Sequence, residues 1–440
     1  MALRAQPLKT PAEEAIAASF PAFAARQAQW GGAEVAKARE DGIARFRANG
    51  LPGRRIEEWH YTDLRSMLRE AAAPFEAFSD DLARQAAGEP APITLDGAAH
   101  LLFVNGRYFA GKPVAGLEVV DLSTTKSLPP AAAQALARET AYAGNGAVAL
   151  NRAFTNGGAV VRVQAGAPRV IHLDFRDVGS EAFSTFPHVI VDVAEQAQVL
   201  IVESHRGPDG VAYQTNVLIE LKLAAQAQVS HVRVNEAGSK SVSLATLGLD
   251  IADHATFNLF SLNTGAALSR HQIFLRSAGE QSSIDLAGVT LARDKQHADT
   301  TLVVEHKAPR CKSREFYRYI IDDSATGVFQ GKIVVAPDAQ KTDGAMKSQT
   351  ILLSDEAAMN NKPELEIFAD DVLCGHGATC GSLDEDQLFY AYSRGLPPAQ
   401  AQALLLEAFA GEALERIADE GLREQLREKV CAWLAQRVIQ

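Results

Sequence analysis

Cysteine is scarce: the chain has 440 residues and only four cysteines, Cys311, Cys374, Cys380 and Cys431. A disulfide framework is excluded at that density, so a reduced, cytoplasmic setting is expected. Basic charge is in deficit, with 43 Lys and Arg against 54 Asp and Glu. Broad docking on nucleic acid, which needs a basic face, is therefore not expected. No apolar run approaches the roughly 18 residues of a membrane span. The start, Met1 to Pro7, lacks the continuous apolar segment of a secretory signal, so export is not expected either. H-E-x-x-H and G-x-S-x-G are absent. Gly331-Lys332-Ile333 lacks both the hydroxyl residue and the first glycine of a phosphate loop. The stretch Gly375 to Gly381 is one residue too long for a dinucleotide fingerprint, and no strand–helix unit surrounds it. What is plentiful is apolar residue, 47% against 22% charged, enough for a large buried core.

The chain divides by texture. Residues 1–91 read as helical. Thr10-Pro11-Ala12-Glu13 is a capping box, Ser79-Asp80-Asp81 opens a later helix, and a further helix is expected from Thr62 through Leu64, Met67 and Leu68. Residues 92–382 read as strand after strand, with a short helical insertion near 129–155. Val104-Asn105-Gly106-Arg107 is a hairpin signal. Residues 383–440 read as a helical module, broken by Gly395-Leu396-Pro397-Pro398. Its apolar stripes are expected at Leu404, Leu405, Ala408 and Phe409, and at Leu422, Leu426, Val430, Trp433 and Val438.

The strand region repeats. Val191 to Val199, Leu221 to Val229 and Leu249 to Phe257 align at offsets of about 30 and about 28 residues, within the range of stacked units. Looser echoes fall at Ile320 to Val328 and Leu365 to Leu373. Ala197, Ala227 and Ala255 recur where a backbone corner would sit. No helices separate the strands, so a parallel β-solenoid is expected, right-handed by strand chirality. A solenoid's last turn presents an unpaired edge that must be blocked or used.

The densest chemical candidate is Cys374-Gly375-His376-Gly377-Ala378-Thr379-Cys380. On a strand, Cys374 and His376 share a face, where a thiolate and an imidazole could bind a soft or borderline metal. Cys380 has the same parity but is expected past a glycine bend. The blander reading is a small buried thiol and a satisfied core histidine. Asp322-Asp323 and Asp370-Asp371 could serve as acid and base in a sugar-cleaving β-helix, although such pairs more often mark turns. His205, His254, His297 and His306 show no ligand spacing. Cys311 has basic neighbours, and no base is placed beside it.

The stretch Lys362 to Thr379, with Gly381 to Tyr390 and Ser393-Arg394-Gly395, resembles the late signature of the SufB/SufD family. This family forms the SUF iron–sulfur cluster assembly scaffold. Glu58-Trp59-His60-Tyr61-Thr62 resembles the family's E-x-W-K-Y-T element, with His60 for lysine, and Phe103 to Tyr108 fits as well. His376-Gly377-Ala378-Thr379, in place of H-E-A-T, points to the SufD branch. Gln349-Thr350 and Cys380 depart from the usual pattern. The resemblance implies a parallel β-helix between helical ends and a non-enzymatic scaffold subunit. It implies pairing with SufB through β-helix edges and docking of the ATPase SufC on the C-terminal module, with Phe389, Tyr390, Arg394 and Gly395 in the docking region. It also implies that His376 and Cys374 serve a transient iron–sulfur cluster at the SufB seam, with a reduced flavin in the complex and self-pairing when the chain is isolated. The alternatives are a carbohydrate-active β-helix using Asp322, Asp323 or Asp370, and a self-assembling solenoid without a metal role.

Overall fold

The repeat unit is one turn of a coil. In a computed structural model, described over residues 10–76, 78–109, 114–167 and 169–438, strands make up 39% and helices 26% of the chain. They form a parallel β-solenoid of about eight turns with helices at both termini. Each turn gives one strand to each of two ten-stranded sheets. Sheet one runs from the hairpin Ala99–Val104 and Arg107–Phe109 to the last strand, Leu373–Gly381. Sheet two runs from Leu117–Asp121 to Ala358–Ile367.

The three sequence repeats superimpose as register partners. Val191 lies beside Leu221 and Leu221 beside Leu249 in sheet two; Val199, Val229 and Phe257 do the same in sheet one. The chain turns between the sheets through one left-handed residue, Gln196, Gln226 or His254, at φ 59°, 59° and 57°. The alanine that follows each is buried in the corner. The echo at Ile320 to Val328 is different: it spans the opposite corner, from sheet one to sheet two. Both corners join apolar strands through a small residue, so the string alone does not tell them apart.

Parallel register stacks inward side chains into columns. One runs Val161, Val191, Leu221, Leu249, Leu275, Val304, Ile333 and Leu365. Burying each such side chain stabilises by about 1.5–3 kcal/mol, so the column continues only while a next rung exists to cover the last.

The N-terminal helices Pro11–Gln27 and Gly32–Asn49 pack with Gly146–Phe154 on the outer face of sheet two, through Phe20, Phe23, Ile43, Phe46 and Phe154. Both halves of the Thr10–Glu13 capping box are present, and Ser79 caps the helix Asp80–Gly88. The helix expected from Thr62 is a single turn, Leu64–Met67, capped by Asp63. Thr62 instead bonds Asp299 and His297 on sheet two. The Glu58 to Thr62 element is thus a clasp on the coil. Trp59 is buried, with the Arg270 guanidinium 3.8 Å over its ring, and Arg270 also bonds Asp299 and the Glu58 carbonyl. Glu57 reaches Lys362 on the last strand of sheet two at 2.8 Å.

The C-terminal helices Pro398–Leu414 and Glu420–Val438 cover the outer face of sheet one. Leu422, Leu426, Val430 and Trp433 are buried as expected; the Val438 side chain lies outside the described residues. The other stripe is half right: Leu405 and Phe409 are half-buried, with Phe409 packed against the sheet-one core. Leu404 and Ala408 are exposed, and Leu406, Ala410, Ala413 and Leu414 are buried. Leu404, Leu405 and Leu406 are consecutive, so hydrophobicity alone does not choose the face.

Arg270→Met is expected to leave Asp299 buried without its charge partner and to cost about 3–5 kcal/mol. Urea unfolding monitored by circular dichroism checks this; a variant within about 1 kcal/mol of the parent would show that the clasp holds without the ion pair.

Candidate functional site

Cys374 and His376 head two inward columns. Below Cys374 stand Gly344, Ser313, Ile284, Phe257, Val229 and Val199. Below His376 stand Met346, Glu315, Leu286, Leu259, His231 and Ile201. Deeper in the coil the apolar members of both columns are core. At the last rung nothing lies above them, so Cys374 is half-buried and His376 is exposed at the mouth of the lumen. The thiol and the imidazole therefore share one face, as the alternation requires. They sit at the open end rather than sealed inside.

Cys374 stands over Gly344. A Cβ placed on Gly344 would lie 3.5 Å from Cys374 Sγ and 3.4 Å from Ser313 Oγ, ordinary contact distances, so the thiol packs directly over this position. Burial pushes the Cys374 thiol above its ordinary pKa. It carries a proton at neutral pH, so metal donation from it is coupled to proton release. Gly375 and Gly377 lie on the opposite face of the same strand with open space beside them. Across the mouth, Ser348 Oγ donates to Asn361 Oδ1 at 2.7 Å.

Cys380 needs a correction. No glycine bend intervenes; it lies on the same strand, beside Thr350, and is exposed. Six residues of strand separate it from Cys374 by about 20 Å, so the two cannot hold one ion. The edges at this end differ. The last strand of sheet two carries Pro363, Lys362, Glu364 and Glu366, which blunt it against pairing. The last strand of sheet one, LCGHGATCG, carries neither proline nor charge. Beside it, Phe368 is 62% and Leu373 74% exposed.

The remaining candidates scatter. Asp322 and Asp323 occupy a corner from sheet one to sheet two, where Asp323 has φ 48°. Asp370 lies at the other corner, after Ala358–Ile367. The carbohydrate-active set is therefore not assembled. Cys311 is fully buried, with Sγ 3.2 Å from Ser277 Oγ and from the Gly279 carbonyl, and its neighbour Arg310 turns away to Glu280. His205 and His306 are buried, His205 stacked on Phe175 and His306 bonded to Ser313. Phe389 and Tyr390, on the helix Glu385–Ser393, are 73% and 61% exposed. The Arg394 guanidinium lies over the Tyr390 ring, and Gly395 takes the left-handed φ that ends the helix.

Sequence reasoning missed Glu315. It stands two rungs below His376 and is 1% exposed. Burial pushes its pKa up to about 8, and Ser313 only softens the effect. A charged residue on the inward parity of Ser313, Tyr317 and Tyr319 was the available signal.

Comparison with known proteins now bears on this site. Residues 175–409 match the family described as SUF system FeS cluster assembly, SufBD core domain. The chain belongs to this family. It is 31% identical over 388 residues to the iron–sulfur cluster assembly protein SufD of Escherichia coli, covering 87% of this chain and 89% of that one. A SufBD family protein of Synechocystis sp. is 31% identical over 406 residues, covering 86% and 87%. One from Mycobacterium tuberculosis is 30% identical over 254 residues, covering 56% and 63%. A role in iron–sulfur cluster assembly follows from the family. Among the described residues, no helix is long and apolar enough to cross a membrane.

Glu315 gives a pH test. Its folded carboxyl keeps a proton up to about pH 8, whereas the unfolded chain releases it near 4.5. Between those values the folded state binds more protons, so stability falls as pH rises, by up to about 1.4 kcal/mol per unit. Glu315→Gln is expected to remove the fall, so its advantage over the parent grows by about 2–3 kcal/mol from pH 6 to pH 8. Urea midpoints at the two pH values measure it; a constant difference would mean that Glu315 is charged and paired throughout.

Proposed function

We propose that this chain is a non-catalytic scaffold subunit that holds a nascent iron–sulfur cluster, as cargo, at the mouth of its coil. One observation carries the reading: an imidazole and a thiol head adjacent inward columns on the one unblunted edge strand. Sulfur and nitrogen donors suit iron and its clusters. Two donors leave coordination positions for a second chain. A SufB-type partner would supply them by adding its own edge strand to Leu373–Gly381, with Phe368 and Leu373 buried in the seam. The small side chains of Gly375, Gly377 and Ala378 suit close approach of that backbone. The isolated chain would pair with itself through the same edge.

The energy would come from an ATPase of the SufC type, since this chain has no intact phosphate loop. Phe389 and Tyr390 are the exposed aromatic anchors for it on the C-terminal module. The flavin implied by the resemblance would need rings and cations together; one described cleft has both, Tyr142 and Phe274 with Arg138 and Arg276, but holds only about 190 Å³. The cleft lined by Trp59 and Tyr142, about 350 Å³, has no lysine or arginine for a flavin phosphate. The cleft lined by Lys37 and Arg45, about 420 Å³, has no aromatic wall. No step is assigned to flavin.

His376→Ala is expected to leave folding and complex formation intact and to lower cluster yield, read as iron and acid-labile sulfide per complex after anaerobic reconstitution. Normal counts would reject the donor role and favour a solenoid without a metal function. Phe389→Glu is expected to remove the ATPase subunit from the complex purified on the tagged chain while the SufB-type partner stays. Retention of both would place the ATPase contact elsewhere.

A further inference from the structure

A second group of metal-ligating side chains lies at the opposite end of the coil. His100 and His172 are register partners on the first two parallel strands of sheet one, and Asp174 lies two residues beyond His172 on the same face. This face is the outer one, since Leu101, Leu173 and Phe175 of the other parity belong to the core. One ligand atom from each of the three lies within 4.8 Å of the others. His100 Nε2 is 3.0 Å from Asp174 Oδ2. Ser204, in register with Asp174 on the next strand, closes the ring: its Oγ is 3.1 Å from Asp174 Oδ1 and 2.8 Å from His172 Nε2.

We infer that His100, His172 and Asp174 form a binding site for a first-row divalent cation of the zinc type, with Ser204 or water completing the shell. Tetrahedral bonds of about 2.0–2.1 Å put neighbouring ligand atoms about 3.3 Å apart. His100 Nε2 and the Asp174 carboxylate already stand at 3.0 Å, and a donor of His172 lies within 4.8 Å of both.

Burial sorts the ligands: His172 and Asp174 are buried, and His100 is exposed. Arg176 is the competing feature. Its guanidinium lies 2.6 Å from Asp174 Oδ2 and reduces the pull on a cation. It is also tied to the Ala86 and Glu89 carbonyls of the overlying segment, so it stays as an outer partner of the carboxylate. The His100 side chain is 41% exposed, which gives the ion an entry path. An ion here would join three successive strands, Ala99–Val104, Val170–Arg176 and Gln198–Arg206, and pin the first turns of the coil.

The test uses the full chain with Cys374→Ser and His376→Ala in place, so that the rim cannot answer for the site. Co²⁺ titration is expected to give one saturable equivalent, with the visible absorption of low-coordinate cobalt, displaced by Zn²⁺. Zn²⁺ is expected to raise the thermal midpoint of the same protein. His100→Ala, an exposed substitution that spares the core, and His172→Ala are each expected to lose the bound equivalent and the thermal shift. Absence of saturable uptake in the rim-silenced chain overturns the site. So does uptake that survives both histidine substitutions. Binding that disappears on silencing the rim alone also overturns it and assigns the ion to Cys374 and His376.

Discussion

Parallel in-register stacking is the constraint on which the molecule depends. Each inward side chain is covered by its counterpart on the next turn, and each backbone ladder is completed by the next strand. The arrangement is self-consistent in the middle of the coil and fails at its ends. The start solves the problem with antiparallel caps: Arg107–Phe109 closes sheet one and Leu117–Asp121 closes sheet two. The finish solves half of it. Pro363 and the charges at Lys362, Glu364 and Glu366 blunt sheet two, and the clasp reaches Lys362 through Glu57. Sheet one is left bare along Leu373–Gly381, and this is where the thiol and imidazole stand. An edge that natural sheets normally protect has been left pairable beside the proposed cluster site.

The lumen is not uniformly apolar, and its polar residues divide into two kinds. Glu203 is buried with His231 at 2.8 Å, Arg233 at 3.1 Å and His205 beside it, so its charge is met on several sides despite burial. Such a network specifies one arrangement of neighbours at a desolvation cost. Glu315 has no such company. Its buried carboxyl, unlike that of Glu203, is stable only when it keeps its proton.

The solenoid was legible because its repeats are chemically alike at matching positions: Val191, Leu221 and Leu249, then Ala197, Ala227 and Ala255. The pairing of Cys374 with His376 was legible because strand parity is independent of context. Whether those side chains pointed into the coil was not, since that depends on the register with Gly344 and Met346, two residues with no motif. Cys380 was misplaced because glycine suggests a bend, yet on a ladder already paired along Asp343–Leu352 the glycines stay extended. The stripe on Pro398–Leu414 was half misassigned because three successive leucines offer every phase. The His100, His172 and Asp174 group was invisible because His100 lies 72 residues before His172 and meets the pair only through the coil's winding.

Sheet one links the two ends of the proposed function. On the strand Lys312–Ile321, the outward residues Phe316, Arg318 and Ile320 meet the C-terminal helices, while the inward residues Ser313 and Glu315 stand in the columns headed by Cys374 and His376. Arg318 is gripped from outside by the Glu412 carboxylate and by the Phe409 ring, 4.3 Å from its guanidinium carbon. Only one strand, Asp343–Leu352, separates this grip from the bare edge. A pull on the helical module is thus delivered to a stiff parallel ladder two strands from the rim, not to a loop. Strand displacement there would shift Cys374 and His376 together, because both belong to Leu373–Gly381. A rigid shared strand would keep the spacing of Cys374 and His376 fixed while their exposure changed, as the proposed holding and release of a cluster requires.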